Sequence, residues 1–388
     1  MIGRAVALVT VTVTAMAWGA FVLFATPRQE PGRPAPRPSP TRSDSSVAEL
    51  DVPWRALIAQ AAGLPERDVE SRLQAPLTDL EVITPSDVWA VGSRTPADSR
   101  RWHEETTAVL MRWDGRRWRP VAPPPGMRFP DLVAASSSDN VWVIENHRGV
   151  QRWDGRAWSD MGRPRVTDPA VPKAYVLQLA SVAVTSPREA WVAGTAYRDS
   201  DPDAATFPFL ARRTASGWSQ IDSPGGMDIE EIDAVSPEDV WAVGHVGGKL
   251  AVAHWDGRRW RLVPSPTAPA KNGDVRLRAV SPAEVWVTVS SVAQVMRWDG
   301  RRWHVLPPPP TGRACQVEGD GRGSAWILAK QYTKVQPRIY EVSTVLLRYD
   351  GRRWSVEKPP RSFSECRGTL ARAPDTGRLI WAADFAGE

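Results

Sequence analysis

Between residues 228 and 264 apolar and polar positions alternate with a period of two, and turn residues interrupt the alternation at regular intervals. The stretch begins with an apolar run near 229–235, followed by the turn Ser236-Pro237-Glu238-Asp239 and the run VWAVG at 240–244. After a short loop come LAVAHW at 250–255, the turn Asp256-Gly257, and RRWRLV at 258–263 before Pro264. Short strands separated by Ser-Pro and Asp-Gly turns predict a four-stranded antiparallel meander. Helices have little claim, because Pro or Gly falls at nearly every candidate boundary.

The same grammar recurs along the chain. SDVWAVG (86–92), DNVWVIE (139–145), REAWVAG (188–194), EDVWAVG (238–244), AEVWVTV (283–289), GSAWILA (323–329) and RLIWAAD (378–384) place Trp89, Trp142, Trp191, Trp241, Trp286, Trp326 and Trp381 at steps of 40 to 55 residues. A second signature follows six of them: WDGRRW at 113–118, 255–260 and 298–303, WDGRAW at 153–158, TASGW at 214–218 and YDGRRW at 349–354. It supplies Trp113, Trp118, Trp153, Trp158, Trp218, Trp255, Trp260, Trp298, Trp303 and Trp354, so the repeat holds 17 of the 20 Trp. Units of 40–50 residues with four strands each predict an all-β fold, a β-propeller of four-stranded antiparallel blades over 80–388. Seven blades are expected, with residues near 50–80 completing a half unit at 363–385 so that both chain ends close the ring. The alternative is six blades with an appended partial unit. Residues 47–79 carry no Asp-Gly-x-x-Trp copy, and PWRALIAQAAGLPERDVESRL looks partly helical.

With Asp256-Gly257 at the centre of a two-residue type I′ turn, Trp255 would face Arg258 and Ala253 would face Trp260. Trp255 and Trp260 then share the face turned to the next blade, with Arg258 over an indole. Every blade needs such a filler, whereas a single ligand has no use for six copies. The motif therefore reads as a hairpin turn and blade staple.

The pattern SPxDVWAVG…WDGxxWxxVxxP, as at 236–264, resembles that of secreted bacterial propeller-repeat proteins, which are loosely similar to galactose oxidase and kelch propellers. The resemblance implies architecture and no particular activity. The kelch double glycine is not evident, and the spacing departs from the Asp-box of sialidase-type propellers.

Composition adds a compartment and few partners. The charge of +5 comes from 49 basic and 44 acidic residues mixed through the same repeats, which gives no nucleic-acid footprint. Residues 5–25 carry no charge and follow Arg4; as a helix of about 31 Å they would span a bilayer core. We read 1–25 as a signal anchor, with a cleaved signal peptide ending near Ala15-Met16-Ala17 as the rival. The Pro-rich segment 26–46 is a disordered spacer holding an exported, membrane-tethered body away from the surface. Export permits a disulfide between Cys315 and Cys366, which lie about one repeat apart, provided their Cα atoms come within about 7 Å.

Candidate chemistry is thin, and no catalytic residue, metal site or cofactor is expected. His103, His147, His245, His254 and His304 are scattered; His254 fills the slot of Arg112, Arg152, Arg297 and Arg348, and His304 likewise reads as a strand substitution. Acids at Glu104-Glu105, Asp199/Asp203 and Asp228/Glu230/Glu231 have the context of solvated loops. With the strands of a blade labelled a to d, a–b and c–d turns share one monotonous rim, while b–c and d–a connections of varied length share the other. The varied rim carries Trp102, His103, Tyr197, Asp201, Phe207, Tyr332 and Tyr340, the candidate binding residues for a protein or a cell-envelope polysaccharide. The leading expectation is a non-catalytic binding or assembly scaffold. An extracellular carbohydrate-active enzyme is the alternative, and clustered acids or His at the channel mouth would favour it.

Overall fold

The computed structural model describes residues 47–383 except 52, 53, 63, 75, 76, 147, 202, 267, 270–274, 337, 338, 358–368 and 373–378. Blade 4 shows how the grammar folds: Asp228–Ser236, Asp239–Val246, Lys249–Trp255 and Trp260–Leu262 form one antiparallel sheet in that order. Five further meanders of the same order, at 77–121, 132–160, 176–221, 275–305 and 313–357, make blades 1, 2, 3, 5 and 6, and in blade 1 a short fifth strand, Leu73–Gln74, also pairs with strand b.

The Asp-Gly hairpin departs from the expected register. Trp255 pairs directly with Trp260, and His254 pairs with Arg261, leaving a four-residue loop in place of a two-residue turn. The Asp256 carboxylate explains the longer loop: Oδ1 accepts from the amides of Arg258 (3.0 Å) and Arg259 (2.9 Å), while Gly257 takes φ +84°. Those amides hold the Asp256 carboxyl below its usual range, and Asp114, Asp154, Asp299 and Asp350 accept the same pair of bonds in their own hairpins. Asp256→Ala should therefore speed hydrogen exchange of the Arg258 and Arg259 amides by about tenfold, a change visible by NMR.

Pairing Trp255 with Trp260 also relocates the arginine. The residue just before the hairpin's first aromatic, not Arg258, lies over the blade tryptophan: Arg112 over Trp89 at 5.6 Å, Arg297 over Trp286 at 6.0 Å and Arg348 over Trp326 at 5.0 Å. His254 stacks on Trp241 at 4.3 Å, so it does serve as a substitute in that slot. An acid or amide two positions before the tryptophan completes the group. Asp239 accepts from Trp241 Nε1 and contacts His254 Nε2, each at 2.8 Å, and Asn140 accepts from Trp142 and Arg152.

Blades are joined by these indoles. Trp89 of blade 1 meets Trp153 and Trp158 of blade 2, and Trp191 of blade 3 meets Trp255 and Trp260 of blade 4. Trp241 meets Trp298 and Trp303 in turn, and Trp286 meets Tyr349 of blade 6. Centroid separations of 5.0–6.4 Å lie in the range of favourable aromatic pairs. The glycine closing VWAVG answers a different demand. A Cβ on Gly244 would stand 1.8 Å from the Asp228 carbonyl oxygen, where strand a bulges at Glu230.

The ring closes on a three-stranded sheet, which corrects the expectation of seven four-stranded blades. Thr369–Arg372 pairs antiparallel with Leu379–Ala383, and Val47–Asp51 adds to the latter in parallel. Among the described residues no fourth strand joins this sheet. Instead the helix Trp54–Ala62 and the segment Val69–Arg72 bury Leu57, Ile58, Ala59 and Val69 against Leu80, Val88 and Met111 of blade 1 and Ala371 of the closing sheet. Within 47–79 the helical elements follow a strand, Val47–Asp51. Residues 5–25 lie outside the described residues, among which no helix is long and apolar enough to cross a membrane.

Candidate functional site

The two rims differ as their turns predict. Gly115, Gly155, Gly257 and Gly300 of the c–d loops lie against Ser86, Asp139, Glu238 and Ala283 in the a–b turns of the same blades. That rim is filled by turns whose polar groups bond one another.

On the other rim the candidate binding residues separate into three places. Trp102 and His103 sit in a short helix, Trp102–Glu105, where the half-exposed indole meets Phe129 edge-on at 5.5 Å. The Arg128 guanidinium donates to the His103 carbonyl. Phe207 of blade 3 meets Tyr175 at 5.4 Å, with Tyr197 next to its strand partner Ala196 and Asp201 capping a turn through Asp203 N. Tyr332 of blade 6 is 47 % exposed and lies under Arg313 at 5.4 Å. The backbone of Tyr340 pairs with Lys334, and its side chain lies outside what the structure describes, as does His147.

The axis of the ring holds residues that the repeat grammar hides. A cavity of about 380 Å³ is lined by the innermost strand of every blade and of the closing sheet. Its walls carry Asp79, Glu81, Glu230, Glu231, Asp233 and Glu318 against Arg276 and Arg278. Neighbouring inner strands do not pair, so their amides need other acceptors. Asp79 accepts from Val133 N at 2.8 Å, Ser181 from Ile232 N at 3.1 Å, Glu231 from Leu277 N at 2.7 Å, Asp233 from Ala279 N at 2.8 Å and Gln316 from Leu370 N at 2.6 Å. Asn146 accepts from Leu179 N at 2.6 Å, and Arg276 donates to the Cys315 carbonyl at 2.8 Å. At least one polar side chain thus ties each blade to the next from blade 1 to the closing sheet.

Burial dominates the electrostatics of the lumen. It pushes the Asp79 carboxyl up to about 6, against the amides of Val133 and Leu80. Burial likewise takes Glu231 to about 7, against Arg276, and Glu81 to about 8, against Arg278. The Arg278 guanidinium stays charged, held by Glu318 at 2.7 Å and Asp233 at 3.3 Å. His245 lies between Glu230 (3.3 Å) and Asp228 (3.4 Å), which strand pairing brings opposite it. Among the described residues no three His, Cys, Asp or Glu side chains are grouped to hold a metal ion. The sequence treated 229–235 as simply apolar. Its signal was two polar residues two apart in strand a, as in Asp79/Glu81, Glu231/Asp233, Arg276/Arg278 and Gln316/Glu318.

Sheet order and a cavity ringed by inner strands make the chain a β-propeller. No protein-family profile matches it, and no curated protein does. Among solved structures it is similar to YCF48 bound to a D1 peptide, at 14 % identity over 72 % of this chain and 94 % of that one, with a TM-score of 0.38. It is also similar to a chain of a nidogen/laminin complex, at 10 % identity over 81 % and 98 % with a TM-score of 0.41. A third is the six-bladed fucose-recognising lectin of Aleuria aurantia, at 11 % identity over 70 % and 91 % with a TM-score of 0.38.

Proposed function

We propose that this propeller is a non-catalytic platform that binds a protein partner through its loop-rich rim. One contrast carries the reading. On that rim Trp102 and Tyr332 stay about half exposed beside Arg128 and Arg313, whereas the lumen acids Asp79, Glu231 and Asp233 are engaged in blade-to-blade ties. Exposed aromatic residues beside arginines are the anchors that protein interfaces favour. The test is photo-crosslinking in cells, with p-benzoylphenylalanine at Trp102 or Tyr332 and, for comparison, at Arg116 or Arg258. Discrete adducts from the first pair alone are expected; equal labelling from both rims sinks the reading.

The platform is further proposed to stand outside the cytoplasm, tethered by 5–25 through the 26–46 spacer, which protease treatment of intact spheroplasts would reveal as a digestible body. Cys315 is disulfide-bonded, and Cys366 lies outside the described residues. Non-reducing peptide mapping of the exported protein should return a single linked pair of Cys315 and Cys366 peptides. Two alkylatable thiols would contradict both the bond and an oxidising compartment.

One observation favours the carbohydrate-active alternative. Burial raises the Glu81 carboxyl to about 8, in a lumen that also holds Asp233, paired with Arg278 at 3.3 Å. Two carboxyl groups sharing one cavity are what an acid and base mechanism requires. Turnover of a polysaccharide by the protein, abolished in Glu81→Gln, would establish it.

A further inference from the structure

Blade 6 breaks the proportions of its neighbours. Its strands b and c, Ala325–Gln336 and Ile339–Tyr349, run to 12 and 11 residues, against 8 and 7 in blade 4. Strand a accompanies strand b only as far as the pair Arg313 and Lys330. Beyond it, Gln331 to Gln336 pair solely with Ser343 to Ile339, forming a two-stranded ribbon roughly 20 Å long by strand rise. The edge of 331–336 that faces away from strand c engages no backbone partner among the described residues.

An open cavity of about 670 Å³ lies on this side, lined by Ser290–Ala293, Thr311–Arg313 and Tyr332. Apolar surface flanks it, since Val292, Tyr332 and Val335 are 42 %, 47 % and 52 % exposed. Three cations stand along the same edge. Arg313, Lys330 and Lys334 make no ion pair with the described residues, in contrast to the blade arginines Arg112 and Arg212, which hold Asp87 and Glu189. Like charges discourage this edge from pairing with a second copy of itself, and they complement an acidic strand.

We propose that an acidic, extended peptide segment of a partner protein adds to the edge 331–336 as a continuation of strand a. Backbone hydrogen bonds supply the register, Arg313, Lys330 and Lys334 meet its carboxylates, and its apolar side chains cover Tyr332 and Val292. This inference rests on the protein-binding reading of the rim and gives it a site and a partner chemistry.

The experiment is fluorescence anisotropy with a labelled octapeptide of alternating Glu and Val on the whole exported domain. Comparators are the same peptide N-methylated at alternate residues and an alternating Lys-Val peptide. Both should bind at least about tenfold more weakly, since one lacks the amide donors and the other has the wrong charge. A shortened variant, with 331–343 replaced by the Gly247-Gly248 turn of blade 4 so that Lys330 still faces Thr344, should lose binding while its near-ultraviolet tryptophan bands stay unchanged. Should that variant not fold, Arg313→Ala combined with Lys334→Ala changes only exposed side chains and is expected to weaken binding about tenfold. Undiminished binding to either variant, equal affinity for the comparator peptides, or no binding to the native protein overturns the proposal. Crosslinking at Trp102 that survives ribbon removal would retain the rim reading while the peptide result decides the ribbon.

Discussion

Trp191→Ala should lower the stability of the propeller by about 4 kcal/mol, read as a large drop in the urea midpoint. The indole is completely buried and meets Trp255 at 5.0 Å and Trp260 at 5.2 Å, so its removal opens a cavity between two blades. The guanidinium of Arg212 lies over both Trp191 and Trp255 while bonding Glu189, and it too would lose its platform. Little can collapse into the gap, because each wall belongs to a hydrogen-bonded sheet. Arg258→Ala is the control: its exposed side chain occupies the turn rim, and its loss should cost within about 0.5 kcal/mol. Comparable midpoints for the two variants would refute the staple. Because each blade contacts only its neighbours, a split transition in Trp191→Ala would further locate the weakness at the junction of blades 3 and 4.

The same residues show why the fold was largely legible and the lumen was not. Strand count and rim assignment follow from turn chemistry and Trp spacing, both local properties that one blade displays in full. The hairpin register was misjudged because Asp256 acts through its side chain, which an Asp-Gly signature does not separate from a two-residue turn. Blade number depended on long-range closure, where a parallel strand and a buried helix replaced the missing hairpin. Channel acids such as Glu81 and Asp233 acquire meaning only when inner strands more than 100 residues apart converge on one axis. The pairing of His245 with Asp228 was hidden for a related reason: counted from the Ser236–Asp239 turn His245 falls opposite Glu230, and two bulges in strand a bring Asp228 there instead. The ribbon of blade 6 falls in one of the b–c connections of varied length, and Pro337 in its sequence hid its strand character.

A lumen built this way should make stability respond to pH in a direction opposite to that of surface carboxylates, and Glu81→Gln isolates the effect. Burial raises the Glu81 carboxyl from 4.5 to about 8, so between those values the folded protein holds a proton that the unfolded chain has released. Stability from this group is therefore complete below pH 4.5 and is lost as pH rises toward and through 8. Glutamine cannot ionise, and the variant should escape that loss. Part of Glu81 faces the lumen, where water moderates the penalty, so the expected gain over the native protein is about 2 kcal/mol at pH 9 and near zero at pH 4.5. Glu231 and Asp79, raised to about 7 and about 6, have the same sign in lower windows, but each accepts a backbone amide from the next blade. Their amide variants Glu231→Gln and Asp79→Asn should retain an acceptor for that tie, whereas alanine in either place would open it. Parallel stability–pH curves for Glu81→Gln and the native protein would show that the Glu81 carboxyl titrates as it does in the unfolded chain. A gain confined to high pH would establish a proton-bearing carboxyl at the axis.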